Sequence, residues 1–133
     1  MSDSIDSIPL GTVDGFDIRA DLVHDTTTHY SAPDGDYTPQ QIAWFNDGDW
    51  YYAGLVVTAS LHGTDLGSDS LWAVETGTMP FDNEENLLMI DPLRDKNGSL
   101  ATYREDMVSN AVADARLRLT ELVDAAIDDG IDP

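Results

Sequence analysis

Gln41-Ile-Ala-Trp-Phe-Asn-Asp-Gly-Asp-Trp50-Tyr-Tyr-Ala-Gly-Leu-Val-Val-Thr-Ala-Ser-Leu-His62 is the stretch on which the fold turns. Two apolar, aromatic runs, Gln41–Phe45 and Trp50–His62, flank Asn46-Asp47-Gly48-Asp49. Asp-Gly tolerates the positive φ angles of a two-residue hairpin turn. The spacing predicts a hairpin, with Trp44 and Trp50 in cross-strand contact near the turn. The second run is long, and Gly54 inside it reads as a bulge.

Upstream, Phe16, Ile18, Ala20 and Leu22 alternate with Asp17, Arg19 and Asp21, the period of a half-buried strand. The β-branched Thr26–Thr28 extend it. Residues 1–12 read as a frayed lead-in, with at most a short strand at Ile5–Leu10 broken by Pro9. Residues 31–40 carry two prolines and read as loop. Downstream, 63–69 is a second loop, and Ser70–Glu75 is a strand through Leu71, Trp72 and Val74. The expected sheet is an antiparallel meander of three to four strands over about 13–75.

The pattern changes after Gly77. Phe81–Ile90 reads as a short helix with Asp82, Glu84 and Glu85 in its first turn, where the dipole favours anions, and Asp91-Pro92 ends it. Ser99 is the expected N-cap of one long helix, Leu100 to about Asp128, with Gly130 as its stop. Met107, Ala111, Ala115, Leu119, Leu122 and Ala126 recur at helical steps and form its core stripe. Strands first and a packing helix last predict a single α+β domain of two layers over 1–133, frayed at 1–12 and 129–133.

Charge bounds the function more tightly than the fold. The 133 residues hold 26 acids, 21 Asp and 5 Glu, against six cations, for a formal charge of -20. Such a chain repels phosphate, so direct nucleic-acid binding and attachment to anionic membranes are excluded as expected partners. There is no cysteine, which removes disulfides and thiolate chemistry. The acidic, polar N-terminus lacks the pattern of a signal peptide, and no apolar run is long enough to span a bilayer, so the expected location is cytoplasmic.

On the long helix, Asp106, Asp114, Glu121, Asp124 and Asp128 fall within a sector of roughly 80°. A row of carboxylates can stand in for phosphates. Duplex DNA carries about one charge per 1.7 Å, so the row needs Asp17, Asp21, Asp34, Asp36, Asp47, Asp49, Asp65 and Asp69 beside it. The competing reading is a solvated helix face. His24, His29 and His62 match no zinc or acid–base spacing, and no phosphate loop or hydrolase motif occurs, so neither enzyme chemistry nor a metal or cofactor is expected. Among the aromatic residues Trp72 is expected in the core. Tyr51 is expected as the exposed aromatic of a binding face, because Trp50, Tyr51 and Tyr52 alternate between faces.

The run Trp50–Ser60, followed by Asp69-Ser-Leu-Trp-Ala-Val-Glu-Thr-Gly77, resembles small acidic proteins of unknown function from phages and plasmids of actinobacteria, over about 40 residues. The resemblance implies a strand core closed by a C-terminal helix, and a mobile-element setting in which acidic accessory proteins act as DNA mimics. The expected function is therefore a non-enzymatic acidic inhibitor. It would dock through Asp106, Asp114, Glu121, Asp124, Asp128 and Tyr51 on a basic nucleic-acid-binding protein. A salt-adapted cytosolic domain of other function stays open beside it, as does, third, a hydrolase or metal enzyme. High Asp content also suits a haloarchaeal protein or virus.

Overall fold

A computed structural model describes residues 4–26, 37–80 and 86–128, with the side chains of 127 and 128 left aside. Five antiparallel strands form one curled sheet in sequence order: β1 (Ser4–Val13), β2 (Phe16–His24), β3 (Trp50–Leu61), β4 (Thr64–Pro80) and β5 (Leu87–Ile90). A short helix α1 (Pro39–Asn46) lies between β2 and β3, and the long helix α2 (Ser99–Asp128) ends the chain. The α+β class holds, with five strands where three to four were expected.

The stretch 41–62 is part helix and part strand. Gln41–Phe45 belongs to α1, not to a hairpin arm. Thr38 and Gln41 form a reciprocal capping box: Gln41 N–H donates to Thr38 Oγ at 3.1 Å, and Thr38 N–H to Gln41 Oε1 at 2.9 Å. Pro39 sits at the first helical turn, where its missing N–H costs nothing. Asp47-Gly48 ends the helix instead of reversing a strand. Gly48 takes φ +83° and donates to the Phe45 carbonyl, and Asp49 N–H reaches the Trp44 carbonyl. That pattern is a Schellman stop. No Trp44–Trp50 strand pair exists.

Asp-Gly makes a hairpin elsewhere. Asp14 (φ 53°) and Gly15 (φ 86°) join β1 to β2, and His62 (φ 51°) and Gly63 (φ 80°) join β3 to β4. Both turns have positive φ at both central residues, the type that matches strand twist. The lead-in expected to fray is therefore β1, with register shifts on either side of the Ile8 region, one of them between Pro9 and Gly11. The expected loop at 63–69 is the start of β4. The expected helix ending at Ile90 is contradicted over Leu87–Ile90, which pairs with Gly77–Pro80. Of the proposed extension of β2, Thr26 lies past the strand end at His24, and 27–28 fall outside the described residues, as does Gly130.

Strand alternation sorts the core. Phe16, Ile18, Ala20 and Leu22 of β2 and Ala53, Leu55, Val57 and Ala59 of β3 turn to one face, and Met107, Ala111, Val112 and Ala115 of α2 pack on them. Gly67 lets β4 pass directly under the helix: a Cβ there would lie 2.3 Å from the Ala111 carbonyl oxygen and from Ala115 N. The opposite residues of β3 meet α1. Trp50 is fully buried, its indole N–H donates to the Gln41 carbonyl at 2.8 Å, and its ring packs against Phe45, Tyr37 and Tyr52.

Gly54 does face a bulge, but the extra residue is on β4. Ala53 pairs with Val74 and Leu55 with Leu71, so Trp72 and Ala73 oppose Gly54 alone. Ala73 takes φ 59°, and its N–H is held by the buried Asp25 carboxylate at 2.9 Å. Trp72 lies over Gly54 and is 49% exposed, so it is not the core residue expected. The bulge turns its ring outward while Trp50 fills the interior.

Candidate functional site

The outer face of α2 is built by default. Helical period places Met107, Ala111 and Ala115 on the sheet, and this turns Asp106, Glu121 and Asp124 away from it and leaves Asp114 on the flank beside Met107, with all four exposed. Asp128 is the last helical residue, and its side chain falls outside the described ones. Tyr103 and Leu117 share the acidic sector, at 47% and 60% exposure. The same 100° count that found the acids places both residues among them, a signal overlooked in reading the charges alone.

Asp114 differs from its neighbours. β5 pairs only with Gly77–Pro80, so the earlier part of β4 is a sheet edge. Edge N–H groups there are met by carboxylates: Ser68 N–H donates to Asp114 Oδ2 at 3.1 Å, and Ser70 N–H to Asp69 Oδ1 at 2.9 Å. Asn110 of α2 donates to the other oxygen of Asp69 at 3.0 Å. Asp114 therefore ties α2 to the edge strand and blunts that edge against pairing with another chain. Asp106, Glu121 and Asp124 form no hydrogen bond or ion pair among the described residues.

Tyr51 does not join this face. It lies on β3, half-buried against the core, its ring 5.5 Å from that of His24. Burial, and secondarily the charge of Asp6, push its phenol up from the ordinary tyrosine value. Among the described residues the exposed Trp, Tyr and Phe are Trp72 and Tyr103.

Of the acids expected to reinforce the row, Asp17, Asp21 and Asp65 are engaged elsewhere. Arg19 of β2 reaches over β3, donating from both terminal nitrogens to Asp65 at 2.8 Å and from Nε to Asp21 at 2.9 Å. The Arg19 guanidinium holds the Asp65 carboxyl below its usual range, against a smaller opposing effect of burial. Asp17 accepts from Thr12, and Asp47 and Asp49 flank the end of α1. Asp34 and Asp36 fall outside the described residues, and only Asp69 adjoins the α2 row. Arg94 pairs with Asp6 and Asp91, and Arg116 with Asp14. The hydrogen bond from Arg94 holds the Asp6 carboxyl low.

A second polar cluster lies under α1. Tyr52 donates to the Tyr37 hydroxyl at 2.9 Å, and Tyr37 donates to Glu75 Oε2 at 2.5 Å. Burial, then the Glu75 hydrogen bond, pushes the Tyr37 phenol far up. His24 is exposed at the end of β2 and His62 in the β3–β4 turn, while His29 lies outside the described residues. Among the described residues no group of three or more His, Asp or Glu is placed to hold a metal ion, and no helix is long and apolar enough to cross a membrane. Compared with known protein families, curated proteins and solved structures, the chain matches none.

Proposed function

We propose that the protein is a non-enzymatic acidic binding module whose α2 outer face occupies the nucleic-acid site of a basic partner. One observation carries this reading. Three arginines are each tied to carboxylates on the sheet or its loops, whereas Asp106, Glu121 and Asp124 form no ion pair among the described residues. Their charge is therefore available to arginines and lysines of another molecule, as charge-assisted hydrogen bonds. Asp106 and Glu121 lie about 22 Å apart along the axis, with Asp124 a turn beyond. Tyr103 and Leu117 between them supply the apolar contacts on which interface affinity depends. The net charge of -20 adds long-range steering toward a basic surface. An accessory protein of a mobile element that inhibits a host DNA-binding protein is the setting in which this chemistry is useful.

The test is capture from lysate with the wild type and an Asp106→Lys, Glu121→Lys, Asp124→Lys variant. Asp114 is spared because it holds the sheet edge. Wild type is expected to retain a basic protein that duplex DNA displaces, and the variant to lose it. Equal capture by both rejects α2 as the docking face.

The placement of the remaining acids favours a second reading. Among the described residues acids occur on β1, β2, β4, the C-terminal end of α1 and the 91–95 turn as well as on α2. Such dispersal suits a salt-rich cytosol, where screening removes most of the mutual repulsion.

A further inference from the structure

The apolar stripe of α2 continues past the point where it is fully covered. Beyond Ala115, Leu119 and Ala126 are half-buried, and Leu122 and Val123 are 50% and 45% exposed. At 100° per residue these four lie within about 100° of one another, on the face that Met107, Ala111 and Ala115 turn to the sheet. They make a convex apolar ridge. Nearer the N-terminal end of the same helix, its flank and the end of β1 enclose an open groove of about 630 Å³. Leu10, Val13, Val108 and Val112 give it apolar walls, and Asp14, Arg104, Glu105 and Arg116 border it. Val13 is 37% exposed there, and the only hydrogen bond of Arg104 among the described residues is a long one, 3.4 Å, to the Leu10 carbonyl.

We infer that the ridge of one copy seats in the groove of a second, and the reverse, as a two-fold dimer crossing near Arg116. A convex and a concave apolar patch on one helix are self-complementary, and a two-fold axis satisfies both at once. The spacing agrees. The ridge centre near Leu122 and the groove centre near residue 110 lie about 9 Å on either side of Arg116 along the axis. Charge agrees as well. Arg116 is neutralised by Asp14 of its own chain, so the crossing point brings no net charge together. Arg104 and Asp128 are equally far from Arg116, so the negative C-terminal end of the partner helix arrives beside the Arg104 guanidinium. Asp106, Asp114, Glu121 and Asp124 lie away from this contact, and in the groove Arg104 and Arg116 balance Asp14 and Glu105, so two chains of charge -20 meet through a face that is locally neutral. The dimer leaves the proposed acidic docking face outward and does not depend on it.

Sedimentation equilibrium of the full chain tests this. The expected mass rises with concentration from one chain toward twice 14.5 kDa. Association should tighten between about 0.15 and about 1 M potassium chloride, as screening reduces repulsion. Leu122→Glu removes the ridge and Val13→Glu the groove wall. Both sites are exposed, so the variants are expected to keep the wild-type thermal unfolding curve and to lose association by about tenfold or more. Mixing the two variants restores one intact ridge-in-groove contact per heterodimer, and is expected to recover association above either variant alone. A single-chain mass at every concentration and salt overturns the dimer, as does wild-type association by either variant.

Discussion

Two glycines show how much a single Cβ can decide. At Gly67 an added methyl would meet backbone of α2, which cannot move without lifting the helix from the sheet. Gly67→Ala is expected to cost about 1–3 kcal/mol in urea unfolding. At Gly54 the obstacle is the Trp72 ring, 2.3 Å from the ideal Cβ but half-exposed and able to swing away. Gly54→Ala should cost less than Gly67→Ala while shifting Trp72 fluorescence, and the opposite ranking would mean that Trp72 anchors the bulge. The Arg19–Asp65 pair sets a pH dependence. The Asp65 carboxyl is depressed from 3.8 in the folded state, so its contribution is full above that value and is lost as pH falls through the folded value. The pair is largely exposed, so Asp65→Asn is expected to cost no more than about 1 kcal/mol at neutral pH. That difference should shrink as pH falls below 3.8, and denaturant midpoints at neutral and acid pH measure it. None of these contacts was legible beforehand: Arg19 and Asp65 are separated by 46 positions, and only the β2–β3–β4 register brings them together.

Among the elements, α1 depends on its ends. It has eight residues and none of them is buried, so packing alone does not specify it. The capping box and the Gly48 stop supply what length does not. Thr38→Ala is expected to lower stability by about 1 kcal/mol and to loosen the cover over Trp50, read as a red shift of Trp emission. An unchanged spectrum and midpoint would show that Trp50 and its aromatic neighbours hold α1 without the cap. The same capping signal, Thr38-Pro-Gln-Gln41, stood in the sequence, but the run Ile42–Phe45 is too short for its period to separate helix from strand. The alternation of Phe16–Leu22 over one strand and the recurrence of Met107–Ala115 over two turns are longer patterns, and both elements formed where the pattern placed them. The sequence of β4 reads as loop and then strand because Gly63–Asp69 is polar and glycine-containing. Its partner is β3, whose apolar run fixes the pairing, and the carboxylates of Asp114 on α2 and of its own Asp69 satisfy the N–H groups of Ser68 and Ser70.

At the scale of the whole molecule the charge is the dominant quantity. Circular dichroism melts from low salt to molar potassium chloride should separate the two functional readings. A well-folded domain at low salt is expected if the acids serve a partner, because Arg19, Arg94 and Arg116 already pair with Asp6, Asp14, Asp21, Asp65 and Asp91. Folding confined to near-molar salt would assign the acids to solvation instead. What the residues determined by themselves is what depends on local period and on composition: the charge, the lack of thiol chemistry, β2, β3, the long helix, and the α+β class. Tertiary structure alone decided which aromatic ring is inside, Trp50 rather than Trp72, and that Tyr51 faces the core. It also decided that Asp114 closes a sheet edge while Asp106, Glu121 and Asp124 remain outward. The physical reason is the same in each case. Period tells which side chains share a face, but what covers that face is set by segments distant in the chain.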